Sequence, residues 1–262
     1  MAKAYERIAD DLRDRIRAGE LAQGDRLPSE TTMADHYGNS LPTLRQALGL
    51  LQAEGLIEKQ HGRGNFVRKL RTPVLRTNLR HQWEKDRALE PEDQRKQTGA
   101  TEHDTGLDID DLVFHAEYDE VEAGEELAEI FDVPVGTVMV ERTYRTRYRA
   151  EEHPFSLVES YLVRDMVAAN PALLDASNEP WPGGTQNQLH TIGIELDRIE
   201  ERVLARPPSP DEAYELGLPS GSALLILGKT SYDTTGRVVE HSFVRLPADR
   251  TELTFVTPLE RW

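Results

Sequence analysis

Residues 27–67 read LPSETTMADHYGNSLPTLRQALGLLQAEGLIEKQHGRGNFV and carry the clearest local signals in the N-terminal part of the chain. Ser29 and Ser40 each stand where a side-chain oxygen caps the first turn of a helix, and Gly38 ends the first of these two helices. The second helix has an apolar stripe at i, i+3, i+4 and i+7, made by Leu44, Ala47, Leu48 and Leu51. Two short strands then surround the Gly-rich turn at 61–64. The stretch therefore predicts two short helices joined by a tight turn, followed by a β-hairpin.

An amphipathic helix precedes this stretch. Ile8, Leu12 and Ile16 recur at four-residue spacing and form one apolar face before Gly19. Three helices and a hairpin in this order predict a winged helix-turn-helix, in which the third helix enters the major groove of DNA by its N-terminal end. The alternative is three ordinary helices and a hairpin with solvated arginines. The exposed candidates for DNA contacts are Ser40, Leu41, Thr43, Arg45 and Gln46 on the third helix and His61, Gly62, Arg63 and Gly64 in the wing.

Charge is unevenly distributed along the chain. The 262 residues carry 31 Lys and Arg against 47 Asp and Glu, a net charge of −16, but residues 1–100 carry 18 against 15. The total argues against nucleic-acid binding, whereas the asymmetry predicts two domains with different partners. The absence of cysteine excludes disulfides, thiolate zinc sites and a cysteine nucleophile. We find no signal-peptide pattern and no apolar run of about 18 residues, so we expect a cytoplasmic protein without a membrane segment.

The stretches LPSE, SLPTLRQAL and LQAEGLIEKQHGRGNFV resemble the DNA-binding domain of GntR-family transcriptional regulators, over residues 3–69. The resemblance implies DNA contacts for Ser29 and Glu30 at the helix start, and for the third-helix and wing residues already named. The chain departs from the family at Thr31 and Leu41, where arginine is usual. We therefore expect a different operator or a lower affinity, with Leu41 able to contact a thymine methyl group instead.

The pattern changes after residue 72. Residues 73–111 are polar and interrupted by Pro73 and Pro91, which predicts a linker with at most a short helix. Beyond it, alternating apolar residues predict strands at 113–121, 137–148, 155–162, 223–233 and 238–246, and helices at 125–131, 164–174 and 211–216. The predicted domains are a winged helix-turn-helix at 1–72, a linker at 73–111 and an antiparallel α/β domain at 112–258, so the fold class is α+β.

An internal repeat lies in the C-terminal part. EELAEIFDVPVGTVMVERTY and DEAYELGLPSGSALLILGKTSY share a helix, a Pro-x-Gly turn and an apolar strand, with Gly136 and Gly221 in register. Two similar halves commonly build one antiparallel sheet with a ligand cleft between them. The plainer interpretation is two ordinary helix-strand units.

Arg142 stands out in the first strand of this repeat. Val138, Val140, Arg142 and Tyr144 share one face of the strand. An arginine that continues an apolar face is costly to bury unless an anionic group meets it. Arg142 is therefore the candidate contact for an anionic ligand, and an internal ion pair with Glu159 or Glu240 is the alternative.

The C-terminal part, from about residue 113 to 258, resembles the UTRA effector domain of the HutC-like branch of the GntR family, which has a chorismate-lyase-like fold. The helix-VPxG-strand unit leading to Arg142, the Ser-Tyr-Leu segment at 160–162 and the hairpin from Gly236 to Glu240 carry this resemblance. It implies a small-molecule pocket lined by Arg142, Tyr161 and Glu240. With their neighbours on these strands, the expected effector-binding residues are Arg142, Tyr144, Glu159, Tyr161 and Glu240.

These features predict a ligand-responsive transcription factor. We expect a homodimeric repressor that a small anionic effector releases from near-palindromic double-stranded operator DNA. We expect no cofactor, no metal and no catalytic residue, because the sequence carries no nucleophile elbow, no HExxH and no Walker loop. Two alternatives stay open, a chorismate-lyase-like enzyme fused to a DNA-binding module and a metal-sensing regulator. The eight histidines include no pair at helical metal-ligand spacing, which disfavours the metal sensor.

Overall fold

The computed structural model describes residues 3–60, 62–69, 71–218 and 221–260. The chain forms two compact units, one made of Met1–Arg71 with Pro207–Ala223 and the other of Thr72–Arg206 with Leu224–Trp262. The chain therefore passes from one unit to the other three times. The insertion of residues 207–223 into the first unit was not predicted from the sequence.

The first unit contains the three predicted helices and the hairpin. Helices α1 (Ala4–Arg17), α2 (Glu30–Tyr37) and α3 (Leu41–Ala53) precede the antiparallel strands β1 (Ile57–Gln60) and β2 (Gly64–Val67). The predicted apolar faces meet in one core, which includes Ile8, Leu12, Met33, Leu44, Leu48 and Leu51. The winged helix-turn-helix expected for this part of the chain is therefore confirmed.

The segment expected to be a linker carries regular structure and belongs to the second unit. Its elements are β3 (Val74–Thr77), α4 (Arg80–Arg87), α5 (Glu92–Arg95) and α6 (Ala100–Thr105), followed by a 3₁₀ turn at Ile109–Asp111. Ion pairs hold this segment, since the Arg80 guanidinium pairs with Asp104 and lies 3.3 Å from Glu84. Burial of paired charges leaves no apolar periodicity, which is why the sequence pattern indicated a linker.

A six-stranded antiparallel sheet forms the body of the second unit. Its strands are β4 (Leu112–Glu122), β5 (Val138–Tyr148), β6 (Leu157–Val163), β7 (Leu196–Arg206), β8 (Leu224–Asp233) and β9 (Val238–Pro247), in the order β4-β5-β6-β9-β8-β7. A further short strand, β10 (Thr251–Thr254), pairs in parallel with β3 outside this sheet. All five predicted strands occur, and β7 was missed.

Helices cover both faces of the sheet. On one face α7 (Glu125–Phe131) packs over Met139 and Tyr161, and on the other α8 (Arg164–Val167) and α9 (Gly184–Thr191) pack over Val140 and Leu162. The single helix predicted at 164–174 is wrong: α8 ends early, and 3₁₀ turns at Pro171–Leu174 and Ala176–Asn178 follow. The residue before a proline disfavours the α conformation, so Pro171 prevents a continuous helix.

The internal repeat is visible in the topology. Strands β4-β5-β6 are mirrored by β7-β8-β9 across the centre of the sheet, and α7 precedes β5 as α10 (Pro210–Glu215) precedes β8. Gly136 and Gly221 adopt the same left-handed conformation, with φ of +86° and +85°. The repeat is one strand longer than the sequence suggested, and the outermost strands β4 and β7 are equivalent.

Candidate functional site

Two serines set the start of the helices that face outward in the first unit. The Thr32 amide donates to Ser29 Oγ at 3.1 Å, and the Thr43 amide donates to Ser40 Oγ at 3.4 Å. Ser40 Oγ also lies 2.9 Å from Thr43 Oγ1. Each serine therefore satisfies an amide that the helix itself leaves unpaired, as predicted from the sequence.

Arg45 and Gln46 project from the first turns of α3 and are exposed. Arg45 Nε donates to Glu30 Oε2 at 2.7 Å, and this hydrogen bond holds the pKa of Glu30 below its ordinary value. Glu30 thus orients the guanidinium of Arg45, which still exposes 63% of its side chain. This arrangement leaves guanidinium donors of Arg45 available for a phosphate or a base edge.

The side chain of Leu41 is less exposed than the sequence predicted. Its side chain is partly buried and packs against the core of the first unit. A thymine methyl group would meet only the part of Leu41 that remains exposed. Packing at the start of α3 therefore accounts for a leucine at a position where the family usually has arginine.

The wing is the turn between β1 and β2. Gly62 and Gly64 both have positive φ, at +71° and +115°, which favours glycine. Arg63 is exposed at the tip, with its guanidinium carbon 5.7 Å from the centre of the Phe66 ring. The candidate residue His61 lies outside the described residues.

A cavity of about 320 Å³ lies in the second unit. Its floor is the sheet face that carries Val140, Arg142 and Tyr144, which we name the cavity face. One wall is the 74–105 segment, and another is formed by the loop at 179–183 together with the first residues of α9. The cavity spans strands from both halves of the repeat, as the sequence predicted for a cleft.

Arg142 is buried beneath this floor, with 2% of its surface exposed. Its guanidinium donates to Gln188 at 2.6 Å, Ser160 at 2.7 Å, Thr185 at 3.3 Å and Glu240 at 3.2 Å. The two terminal nitrogens of the Arg142 guanidinium are therefore hydrogen-bonded to protein side chains, and Arg142 does not line the cavity. The alternative of an internal ion pair is the one observed, and Glu240 is the partner.

Glu240 is a buried carboxylate between two cations. Lys229 Nζ lies 2.9 Å from its Oε2, and Ser160, Ser231 and Ser242 donate hydrogen bonds to it. Burial acts to raise the pKa of Glu240, but the charges of Lys229 and Arg142 hold it at about 2. Glu240 and Tyr144 both line the cavity.

Glu159 and Tyr161 lie on the opposite face of the sheet, so their expected place in the pocket is wrong. Glu159 accepts a hydrogen bond from Arg245 at 3.0 Å, and the Tyr161 hydroxyl donates to Glu141. Adjacent residues of a strand alternate between faces, and Val158 and Ser160 are the residues of β6 that line the cavity.

Glu179 was missed by the sequence reasoning. Its Oε1 accepts hydrogen bonds from Tyr118, from Tyr144 at 3.1 Å and from Gln188 at 3.0 Å, and its Oε2 accepts one from the Trp181 amide at 2.7 Å. These contacts fix the 179–183 loop to the cavity face. A lone Glu-Pro in a loop gave no periodic signal that could have identified it.

The 74–105 segment brings a second group of charges to the cavity. His81 Nε2 lies 3.1 Å from Glu201 of β7; burial acts to lower the pKa of His81, but Glu201 and Glu84 raise it above its ordinary value. For Glu102, which lines the cavity from α6, burial itself raises the pKa above its ordinary value. Arg95 lines it from α5 and donates to the carbonyl oxygens of Pro182 and Glu90.

Among the described residues, no group of three or more His, Cys, Asp or Glu is arranged to hold a metal ion. In the same part of the chain, no helix has the length and apolar character needed to cross a membrane.

Comparison with known proteins gives the family. Residues 4–67 match the family model described as bacterial regulatory proteins, gntR family, and residues 115–252 match the UTRA domain. The chain belongs to the GntR family of transcriptional regulators. This GntR-family regulator carries a UTRA domain, consistent with the HutC-like branch. Neither match includes residues 68–114, which supply one wall of the cavity.

Relatives align over nearly the whole chain. The HTH-type transcriptional regulator Rv0792c of Mycobacterium tuberculosis is 28% identical, over 90% of this chain and 79% of its own. The HTH-type transcriptional repressor NagR of Bacillus subtilis is 26% identical, over 98% and 95%. A crystal structure of a GntR-family transcriptional regulator covers 98% of both chains with a TM-score of 0.63 and 25% identity.

Proposed function

We propose that this regulator is a homodimeric repressor that releases near-palindromic operator DNA when a small molecule occupies the cavity of its second unit. The cavity, built by an ion-paired wall on a polar sheet face, is the observation that carries this proposal. The similarity to NagR, a repressor by name, supports the direction of the response. We expect no catalytic turnover, and an assay with chorismate would expose an enzyme of the chorismate-lyase type.

On the DNA side, α3 presents Thr43, Arg45 and Gln46 and the wing presents Arg63. Residues 1–72 carry only 12 Lys and Arg against 10 Asp and Glu, so binding depends on a few placed groups rather than on a broad basic field. We therefore expect specific binding with a modest salt dependence.

On the ligand side, the cavity size suits a small metabolite, and its lining is chemically divided. Val158, Val244 and Phe155 form an apolar part. In the polar part of the lining, Arg95 lies beside the N-terminal end of α9. Its guanidinium donates hydrogen bonds to carbonyl oxygens rather than to a carboxylate. An anionic group would find a cation and helix-end amides there, so we propose Arg95, in place of Arg142, as the contact for the anionic effector.

The insertion of residues 207–223 supports a route from cavity to DNA. The segment continues directly into β8, which carries Lys229, and within the first unit it contacts the end of α3. A Cβ at Gly221 would lie 3.2 Å from the Ala53 carbonyl oxygen, and the Arg71 guanidinium donates to the Leu216 carbonyl at 3.0 Å. A ligand that binds one conformation of this connecting segment more tightly than another would change the affinity for DNA. A ligand that binds both conformations equally would leave that affinity unchanged.

A thermal-shift screen with phosphorylated sugars, amino acids and small carboxylic acids tests the proposed cavity. Val158→Trp places an indole in the apolar part, and Val135→Trp, at a position that is 65% exposed, is the matched control. We expect a stabilising compound to act on the wild type and the control but not on Val158→Trp. A compound that stabilises all three proteins equally would place the ligand elsewhere.

A further inference from the structure

The last strand of the sheet, β7, pairs with β8 on one side and with no other strand of the described residues on the other side. It is 11 residues long, and its second half from residue 201 to 206 is mostly exposed, including Val203 at 37% and Leu204 at 70%. A long edge strand with exposed apolar side chains is a template for pairing with another strand unless its composition prevents this.

The equivalent edge strand β4 is strongly acidic in its second half. It carries Glu117, Asp119, Glu120 and Glu122 and no lysine or arginine. Strand β7 reads LDRIEERVLAR and carries three acidic residues and three arginines. The two halves of the repeat thus place an acidic strand at one edge and a charge-balanced strand at the other, so two copies of β4 would bring together like net charges whereas two copies of β7 would not.

Symmetry restricts how two copies of β7 can pair. An antiparallel pair continues the sheet through a two-fold axis perpendicular to it, so each residue faces a partner residue on the same side of the sheet. An axis at Glu200, Glu201 or Arg202 puts a like charge opposite itself. An axis at Ile199 puts Asp197 opposite Glu201 of the partner subunit.

An axis at Leu204 puts Arg202 opposite Arg206 of the partner subunit, which also repels. Axes at Val203 and at Ala205 both avoid like-charge pairs, but within β7 the axis at Ala205 pairs only residues 204–206, whereas the axis at Val203 pairs residues 200–206. The axis at Val203 sets Val203 against its own copy, Arg202 against Leu204 of the partner subunit, and Glu200 against Arg206 of the partner subunit.

We propose that residues 200–206 of β7 are an interface with a second copy of this chain, paired antiparallel about Val203. The inference rests on the homodimer of the proposed function and names its surface. Strand β7 is followed directly, at Pro207, by the segment that belongs to the DNA-binding unit. Pairing of the two β7 strands would therefore join the segments that carry the two DNA-binding units.

Single cysteines test the register directly, because the chain has none of its own. In the full-length protein, Val203→Cys places two thiols on the axis, where Cα atoms of opposed residues lie about 5 Å apart, within disulfide reach. Ala205→Cys is the matched control on the same face, since its copy lies four residues along the strand, about 13 Å away. We expect mild oxidation to give covalent dimers of Val203→Cys and no more than background for Ala205→Cys.

Charge reversal provides a second readout by sedimentation equilibrium. Glu200→Arg creates two like-charge pairs per dimer and should raise the dimer Kd about tenfold. Adding Arg206→Glu to Glu200→Arg should restore association, whereas Glu122→Arg on β4 should leave it unchanged.

The outcomes separate the inference from the proposed function. A monomeric wild-type protein contradicts both. A dimer in which Ala205→Cys cross-links as well as Val203→Cys, or in which Glu200→Arg associates like the wild type, overturns the β7 interface and leaves the homodimer standing.

Discussion

Replacing Arg142 with alanine should destabilise the second unit rather than remove a ligand contact. The side chain is fully enclosed and its guanidinium donates to four side chains, including Glu240. Removing one partner of a buried ion pair costs about 3–5 kcal/mol, because the other charge stays buried. Lys229 still lies 2.9 Å from Glu240, so we expect the lower part of that range, about 3 kcal/mol.

Tryptophan fluorescence during urea unfolding measures this loss selectively, because Trp83 and Trp181 lie in the second unit and the first unit contains no tryptophan. Arg145→Ala is the matched control on the opposite face of the same strand, where a partly exposed arginine should contribute less than about 1 kcal/mol. An Arg142→Ala protein as stable as Arg145→Ala would refute the structural role.

Three further results are expected. Arg45→Ala should weaken operator binding and reduce the slope of log Kd against log salt by about one, with ligand stabilisation of the second unit retained; an unchanged slope would remove Arg45 from the phosphate contacts. Glu240→Gln should flatten the acid limb of stability. Because the folded carboxyl has a pKa of about 2 against 4.5 for the ordinary group, the wild type is stabilised above pH 4.5 and loses this as pH falls towards 2. Equal acid unfolding profiles would contradict this. Ser40→Ala should lower the stability of the DNA-binding unit by about 1 kcal/mol, measured by circular dichroism, and no loss would mean that its hydrogen bond to the Thr43 amide is not stabilising.

The DNA-binding unit could be predicted from sequence because its signals are local. The caps at Ser29 and Ser40 and the stripe that includes Leu44 and Leu48 each lie within a few residues of the contacts they make. Such signals need no knowledge of which distant segments meet. The same reasoning found the strands that carry Arg142 and its burial.

The effector cavity could be predicted only in part, because its walls are joined by distant contacts. The alternation of faces along β5 identifies Arg142 and Tyr144. The family resemblance alone implies Tyr161, whereas in β6 the alternation of faces directs its neighbour Ser160 towards the cavity. Glu179 and the 74–105 segment contact residues far away in sequence through charges and hydrogen bonds. Such contacts leave no repeating pattern in the chain.

Occupancy of the cavity should change the affinity of the protein for DNA, and a titration measures this coupling. Fluorescence anisotropy gives the Kd of the full-length protein for its labelled operator, with and without the compound that stabilises it most in the thermal-shift screen. We expect the compound to weaken wild-type binding at least about tenfold, a coupling of about 1.4 kcal/mol, and to leave Val158→Trp unaffected. A wild-type Kd that is the same with and without the bound compound would mean that occupancy of the cavity is not coupled to DNA binding.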